Sequence, residues 1–482
     1  MGDEFEAAVE TATRQLVAHW QALAAREVPV TPQCEPGSVL SALPSTPPEE
    51  AESLEEMLAD TWKVIVPGLT HWQHPAFLGY FPTNNSPASV LAEFVTAGLG
   101  VQGMMWSTSP AATELEQAVT DWLAQALGLP EAFRHASGRG GGVIQDSASS
   151  AVLVATAAAL QRASQGRWRS SGTEGRYRMY CTERAHSSVR KGSRLAGLGE
   201  PQLIATLAET GRMDPDALSA RIDSDREAGF IPAIVVATVG TTDICAVDPV
   251  PDIGRVCRQE NVWLHVDAAY AGSATLCPEY RHLNDGVSLA DSYAVNAHKW
   301  MRTGTPCDVL WTSDRATLTD AMSITPSYLR NPATDSGRVV DFRDWQVPLG
   351  RPMRALKLWY VMRAHGVQGL REAIRHDVHR AAQLARLITA EPGFHLEVHE
   401  LGLVVFRRDT DEDTRRLISR LQTDRTLLCT PASVNGRPAV RAAFGSPYVT
   451  ADTVHYAWER IRTHAQAPEK ASASTRGAGA SR

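Results

Sequence analysis

Between about residues 85 and 365, short β-rich runs alternate with helical ones, and this rhythm constrains the fold more than any other feature of the sequence. The runs are Ala233 to Val239, Val262 to Val266, Tyr293 to Asn296 and Val309 to Thr312, with a helical Pro251 to Arg258 between the first two. Strands separated by helices predict βαβ units, hence an α/β large domain with a mostly parallel sheet sandwiched by helices. Upstream, Phe5, Val9, Leu16, Trp20 and Leu23 recur at near-helical spacing and predict a helical N-terminal arm, which the Pro/Glu-rich stretch 43–50 interrupts. Downstream, a helix over 370–390, strands near 394–408 and 438–444 and a closing helix near 450–463 predict a small C-terminal α/β domain. The expected divisions are 1–84 for the arm, 85–369 for the large domain, 370–466 for the small one, and a disordered Ala/Ser/Gly-rich tail over 467–482. Residues 323–344, with two prolines, a glycine and many polar side chains, read as a long surface loop, often a lid in enzymes.

Charge and cysteine usage narrow the function. With 47 Lys+Arg against 54 Asp+Glu the net charge is −7, so no nucleic acid or anionic lipid partner is expected. Seven cysteines without a C-x-x-C pair fit neither a disulfide framework nor a zinc ribbon, and point to a reducing cytoplasm. The acidic first residues and the lack of about 18 uninterrupted apolar residues argue against export and membrane spanning. His71 and His74 form H-x-x-H without a third ligand, and H-E-x-x-H and G-x-S-x-G are missing, so neither a metal site nor a serine hydrolase is expected.

The chemistry concentrates at strand ends. Asn296-Ala-His-Lys299-Trp puts a lysine just after a short strand in apolar surroundings. A desolvated lysine has a lowered pKa and is nucleophilic enough to form an imine with a carbonyl cofactor, although a surface lysine would fit this pentapeptide equally well. One strand earlier, Val262 to Val266 delivers Asp267 to the edge where open parallel sheets bind ligands. Alone, Asp267 reads as a helix N-cap; beside Lys299, it reads as a partner for a pyridine nitrogen. The glycines of Gly138-Arg-Gly-Gly-Gly142, leading into Ser147-Ala-Ser149 and an Ala/Val/Leu-rich helix, suggest a phosphate cradle, though such serines are also ordinary caps. His186 could stack on a flat ring, but a lone histidine is more often structural.

Taken together, Ser147-Ala-Ser149, His186, Asp267-Ala-Ala-Tyr-Ala-Gly-Ser and Asn296-Ala-His-Lys299-Trp closely resemble the aromatic L-amino-acid decarboxylase family, the group II pyridoxal-phosphate-dependent decarboxylases. The likeness runs over roughly residues 5–465, through His74-Pro-Ala-Phe-Leu-Gly-Tyr-Phe-Pro82, Ser109 to Glu116, Ala237 to Thr242 and Asp344 to Gly350. It implies a fold-type I enzyme with pyridoxal 5'-phosphate joined to Lys299, Asp267 on the pyridine nitrogen, and His186 and Ala269 on the two ring faces. Ala148, Ser149 and Asn296 would hold the phosphate, with Thr242 and His298 close by. Trp72, Tyr80, Phe81 and Thr83, with Gln102, Met104 and their neighbours to Trp106, would line the substrate pocket of a homodimer whose sites lie at the subunit interface. Tyr328 matches the family's catalytic loop tyrosine. Gly350 sits where plant members with glycine tend to accept indoles, which places tryptophan slightly ahead of phenylalanine, tyrosine and their hydroxylated forms. The rival readings are an aldehyde synthase, in which the family tends to carry phenylalanine at the Tyr328 position, and a decarboxylase of a non-aromatic amino acid. Ala297, Met104 and the stretch Arg302 to Cys307 depart from the family pattern.

Overall fold

A computed structural model describes residues 2–324 and 326–467, without the Tyr328 side chain; from residue 468 the expected tail lies outside the described residues. Seven strands form the main sheet: β1 (Gly141–Gln145), β2 (Tyr177–Thr182), β3 (Gln202–Ile204), β4 (Ile231–Thr238), β5 (Trp263–Asp267), β6 (Ser292–Asn296) and β7 (Asp308–Thr312). Their spatial order is β1-β7-β6-β5-β4-β2-β3. Every pairing is parallel except those of β7, which runs antiparallel to both β1 and β6. The reversal follows from connection length, because only a four-residue helical turn, Ala297–Trp300, and seven further residues join β6 to β7, too few for a crossover.

Both faces of this sheet are buried. The helix Ala148–Ser164 packs Val152, Val154, Ala155 and Leu160 on one face beside Ile234, Val236 and Leu310. The other face, with Val235, Leu264, Tyr293 and Trp311, meets the helix Pro110–Leu127 and the first part of the helix Ala355–Ala390. That long helix starts well before the expected 370 and breaks at Gly366, whose φ of 61° suits a residue without Cβ. Its second part places Ala381, Leu384 and Ile388 against a smaller antiparallel sheet ordered β10-β11-β9-β8. These strands are β8 (Phe394–Glu400), β9 (Leu403–Arg408), β10 (Thr430–Val434) and β11 (Arg437–Ala443). β10 carries Pro431 and lies at the sheet edge, where a missing N–H is tolerated. The closing helix is Ala451–Gln466, and the arm is the helix Gly2–Ala24.

The segment 323–344 is less of a surface loop than its composition suggests. Leu329, Asp341, Phe342 and Arg343 are buried, and Asp341 accepts from the Trp106 N–H at 2.9 Å and the Thr334 hydroxyl at 2.6 Å. Phe342 and Trp345 enter the core against His135, so apolar content at the far end of the segment outweighs its polar start. Among the described residues no helix is long and apolar enough to cross a membrane, and no group of three metal-ligating side chains forms.

Candidate active site

Four strand ends meet at one edge of the main sheet. β1 ends at Gln145, β5 at Asp267 and β6 at Asn296, while the antiparallel β7 starts there with Asp308. Just beyond lies a cavity of about 220 Å³ lined by Lys299, Asp267, His186, Ala148, Ser149, Asn296, Thr242, Ala269, His298 and Phe81. Ten expected site residues, scattered over more than 200 positions of sequence, thus face one another.

Each is held by local structure. Lys299 lies on the turn Ala297–Trp300, anchored by the buried Trp300, whose indole N–H donates to Asp377 at 2.9 Å. Trp300 stacks on Tyr270 and Tyr270 on Phe81, with centroids 4.6 and 3.6 Å apart, so an aromatic column pins the lysine turn to the wall of the cavity. Such contacts contribute about 0.5–1.5 kcal/mol each beyond burial. The stretch Arg302 to Cys307 is clamped as well: the Arg302 N–H donates to Asn84 at 2.8 Å and the Gly304 N–H to Ser89 at 2.8 Å. Burial holds the Lys299 amine below the ordinary lysine value, although Asp267 and then Asp308 pull it upward. Its Nζ lies 5.6 Å from the centre of the Phe81 ring and makes no hydrogen bond or ion pair with a described residue. His298 is a neutral imidazole, pushed down to about 4 by burial and by Lys299, and its Nδ1 accepts from the Cys307 N–H at 3.1 Å.

Asp267 accepts the Ala269 N–H on Oδ1 at 3.1 Å, which turns the carboxylate toward the cavity and sets Ala269 beside it. The Nδ1 of His186 accepts the Ser188 N–H at 3.2 Å, capping the helix Ser187–Leu195 and fixing the ring plane; burial lowers its pKa. Ser147 caps the helix Ala148–Ser164 through Ser150 N–H at 3.3 Å. The first N–H groups of that helix, at Ala148 and Ser149, have no partner within the helix and stand at its positive end. The glycine run does not share this place. Gly141 and Gly142 lie at the opposite end of β1, where an added Cβ would come within 2.5 Å of His135 and 2.6 Å of Trp311. They serve close packing, and the phosphate cradle expected of them reduces to the helix start.

The profile of the pyridoxal-dependent decarboxylase conserved domain matches residues 36–409. The chain belongs to the pyridoxal-dependent decarboxylase family. Among relatives, it is 41% identical over 446 residues to the aromatic-L-amino-acid decarboxylase of Sus scrofa, covering 90% of each chain. It is 40% identical over 453 residues to the phenylacetaldehyde synthase of Arabidopsis thaliana, covering 91% of each. Among solved structures, that of Oryza sativa TDC with PLP and tryptamine superposes with a TM-score of 0.93 at 37% identity, over 96% of this chain and 98% of that one.

The cofactor of this decarboxylase is pyridoxal phosphate, and the cavity fits it. An amine without a partner, a carboxylate turned inward and an uncapped helix start answer an aldehyde, a pyridine nitrogen and a phosphate. Between them, His186 and the Ala269 methyl leave space for a flat ring. Gly240, which also lines the cavity, has a φ of 92°, and a Cβ there would stand 2.6 Å from that of Ala271. The Asn296 Oδ1 and Thr238 Oγ1 are buried without partners, leaving polar capacity at the cavity unused by the protein itself.

The expected substrate residues divide. Phe81 lines the cavity, with the Arg441 guanidinium 4.4 Å from its ring centre. Trp72 and Tyr80 stack on each other at 5.4 Å and stand 37% and 55% exposed, with Tyr80 at the mouth of a neighbouring groove shared with His186 and Arg441. The Thr83 carbonyl accepts from Gln73 at 2.6 Å. Gln102, Met104 and Gly350 lie elsewhere, joined through the Arg351 N–H on Gln102 at 3.1 Å and the Arg343 N–H on the Met104 carbonyl at 2.9 Å. Within one chain these three do not reach the Lys299 cavity. Tyr328 stands on the single turn Ser327–Leu329. Sequence reasoning gave no role to Tyr270, although it stands in the quoted Asp267-Ala-Ala-Tyr. It had no signal for Arg441, which reaches the site from β11 by donating to the carbonyls of Tyr80 and Thr242. Glu116, in a quoted motif, proves to be a buried partner of Arg351 at 2.8 Å that also accepts the Ile144 N–H at 2.7 Å, holding the end of β1.

Proposed function

We propose that this chain decarboxylates an aromatic L-amino acid to the arylalkylamine and carbon dioxide, with tryptophan slightly favoured. The observation that carries this is the meeting of Lys299, Asp267 and the start of the helix Ala148–Ser164 around one cavity. Pyridoxal phosphate, when bound, supplies the electron sink into which the Cα–carboxylate bonding pair moves. The rest falls to the chain. Lys299, its amine held below the ordinary lysine value by burial, is the group that would join the cofactor and later give way to the substrate amine. Asp267 holds a proton at the pyridine nitrogen, and His186 and Ala269 bracket the ring. The N–H groups of Ala148 and Ser149, with Asn296, hold the phosphate, and Thr242 and His298 close the rim.

Tyr328 delivers the proton to Cα after carbon dioxide leaves. Its identity bears on two outcomes. The phenylacetaldehyde synthase relative, at 40% identity, supports a second reading in which decarboxylation is coupled to oxidative deamination. A tyrosine hydroxyl at 328 favours the amine, because a donor there would return a proton to Cα before oxygen could react.

The assembly is a homodimer with sites completed across the interface. Phe5 on the arm stacks on Phe94 and both are about half exposed, as are Leu91 and Leu99; this apolar surface of the arm and the helix Pro87–Leu99 supports a partner subunit there. Residues 1–84 then act in dimerisation, 85–369 bind the cofactor and 370–466 form the small domain. Seven free cysteines, six of them buried, support a cytoplasmic setting. Incubating the purified protein with a panel of L-amino acids, while measuring carbon dioxide, amine, aldehyde, ammonia and peroxide, tests the whole reading; carbon dioxide and amine in equal amounts from aromatic substrates are expected. Aldehyde with peroxide would establish the second reading, and turnover confined to an acidic or diamino substrate would overturn both.

A further inference from the structure

Directly beneath the phosphate seat, three polar side chains stand side by side. Strand register places Gln145 opposite Asp308 and Asp308 opposite Asn296, so the three project from one face of β1, β7 and β6. All three are buried, Asp308 and Gln145 completely. Gln145 Oε1, both Asp308 carboxyl oxygens and Asn296 Oδ1 have no hydrogen-bond partner. Four acceptors face one another without a donor between them. The Gln145 amide cannot turn to help, since its Nε2 donates to the Trp345 carbonyl at 2.7 Å. Asn296 lines the cavity, and a phosphate offers only acceptors, so its N–H2 must face outward and its oxygen inward toward Asp308.

We propose that Asp308 is a positioning residue held as a neutral carboxylic acid, its O–H donated to Asn296 Oδ1, which turns the Asn296 N–H2 to the phosphate of pyridoxal phosphate. One proton resolves the shortage of donors, and no described side chain donates to any of the four oxygens. An ionised Asp308 would leave four acceptors facing one another and would set a negative charge in low dielectric under a dianion. The groups around it agree: Asp267 from β5 and Asp146 from the turn after β1 act with burial to raise its carboxyl well above the ordinary aspartate value, and Lys299 opposes them. No ion pair joins Lys299 to Asp308, and the strongest attraction on Lys299 comes from Asp267. The neighbouring Cys307 is a neutral thiol, pushed up to about 12 by burial.

The inference rests on the phosphate seat proposed above, and the test separates the two. Holoenzyme at pH 7 is compared with Asp308→Asn by difference infrared spectroscopy, while the visible absorption of the bound cofactor reports occupancy. The expected result is the carbonyl band of a protonated carboxyl in the wild type that is missing from Asp308→Asn, with both proteins loaded. Because the asparagine still has an N–H donor, its cofactor dissociation constant stays within about threefold of the wild type, whereas Asp308→Val, with no donor, weakens cofactor binding about tenfold. Because the folded pKa is raised, wild-type affinity for the cofactor is full at low pH and falls as pH rises through that value, and Asp308→Asn removes this fall. A wild-type holoenzyme showing only carboxylate bands for Asp308, or an asparagine variant that loses cofactor as the valine variant does, overturns the proposal. If Asp308→Val does not fold, the infrared comparison with Asp308→Asn still decides. A wild type that binds no cofactor would instead overturn the phosphate seat itself.

Discussion

The floor of the cavity and its aromatic approach are built on opposite principles. Lys299, Asp267, Asn296 and His298 stand at the ends of buried strands, braced by Trp300, Asp377 and Cys307. Trp72 and Tyr80 stand in irregular chain and are exposed, and Gln102, Met104 and Gly350 gather away from the cavity. One chain therefore brings the residues of the proposed cofactor seat together by itself, whereas on the proposed reading the surfaces that meet the substrate ring would be finished by a second subunit. Cofactor chemistry is fixed by the sheet, and substrate choice is written where the fold tolerates change.

Perturbing each side should give effects of different size and kind. On the floor, Lys299→Ala should abolish turnover, and borohydride reduction of the wild type should leave a pyridoxyl group on Lys299; peptide mapping that finds the label elsewhere would break the contrast at its strongest point. Asp267→Asn should keep the fold and slow decarboxylation at least about a hundredfold, roughly 2.7 kcal/mol of barrier, since the pyridine nitrogen loses its partner. Near wild-type rates would reduce Asp267 to a turn residue bonding Ala269. Next in expected size, Tyr328→Phe should consume substrate while amine gives way to aldehyde, ammonia and peroxide; unchanged amine output without peroxide would remove Tyr328 from the proton path. On the approach, Gly350→Ser should move the ratio of kcat/KM for tryptophan over tyrosine by roughly tenfold at most. An added Cβ there meets the Gln102 side chain at an ordinary 3.6 Å, so the change is tolerated and the ratio is readable. An unmoved ratio would mean that this position does not read the ring.

The same contrast governs what the sequence discloses. The strands at 233–239, 262–266, 293–296 and 309–312 are legible because both faces of the sheet are buried and their residues are mostly apolar. Lys299 and Asp267 are legible because charge at the end of such a run is conspicuous. Elsewhere the information is non-local. Gly138 to Gly142 suggest an anion loop, yet Gly141 and Gly142 are dictated by the size of His135, Thr120 and Trp311 beside the strand. Phe342 and Trp345 look like the end of a polar loop until His135 gives them a partner. Arg441 and Asp308 carry no local sign, because what matters is the strand each lies beside.

The short return from β6 to β7 has a kinetic consequence. With His298 bonded to Cys307 and the segment between them tied to Asn84 and Ser89, the backbone under Lys299 is closed into a stiff hairpin. A released lysine amine then travels no farther than its own side chain allows. It remains a tethered competitor at high effective concentration, against which a departing product amine is a dilute one. On the proposed reading, recapture by the lysine, rather than diffusion of product alone, would return the site to its resting state.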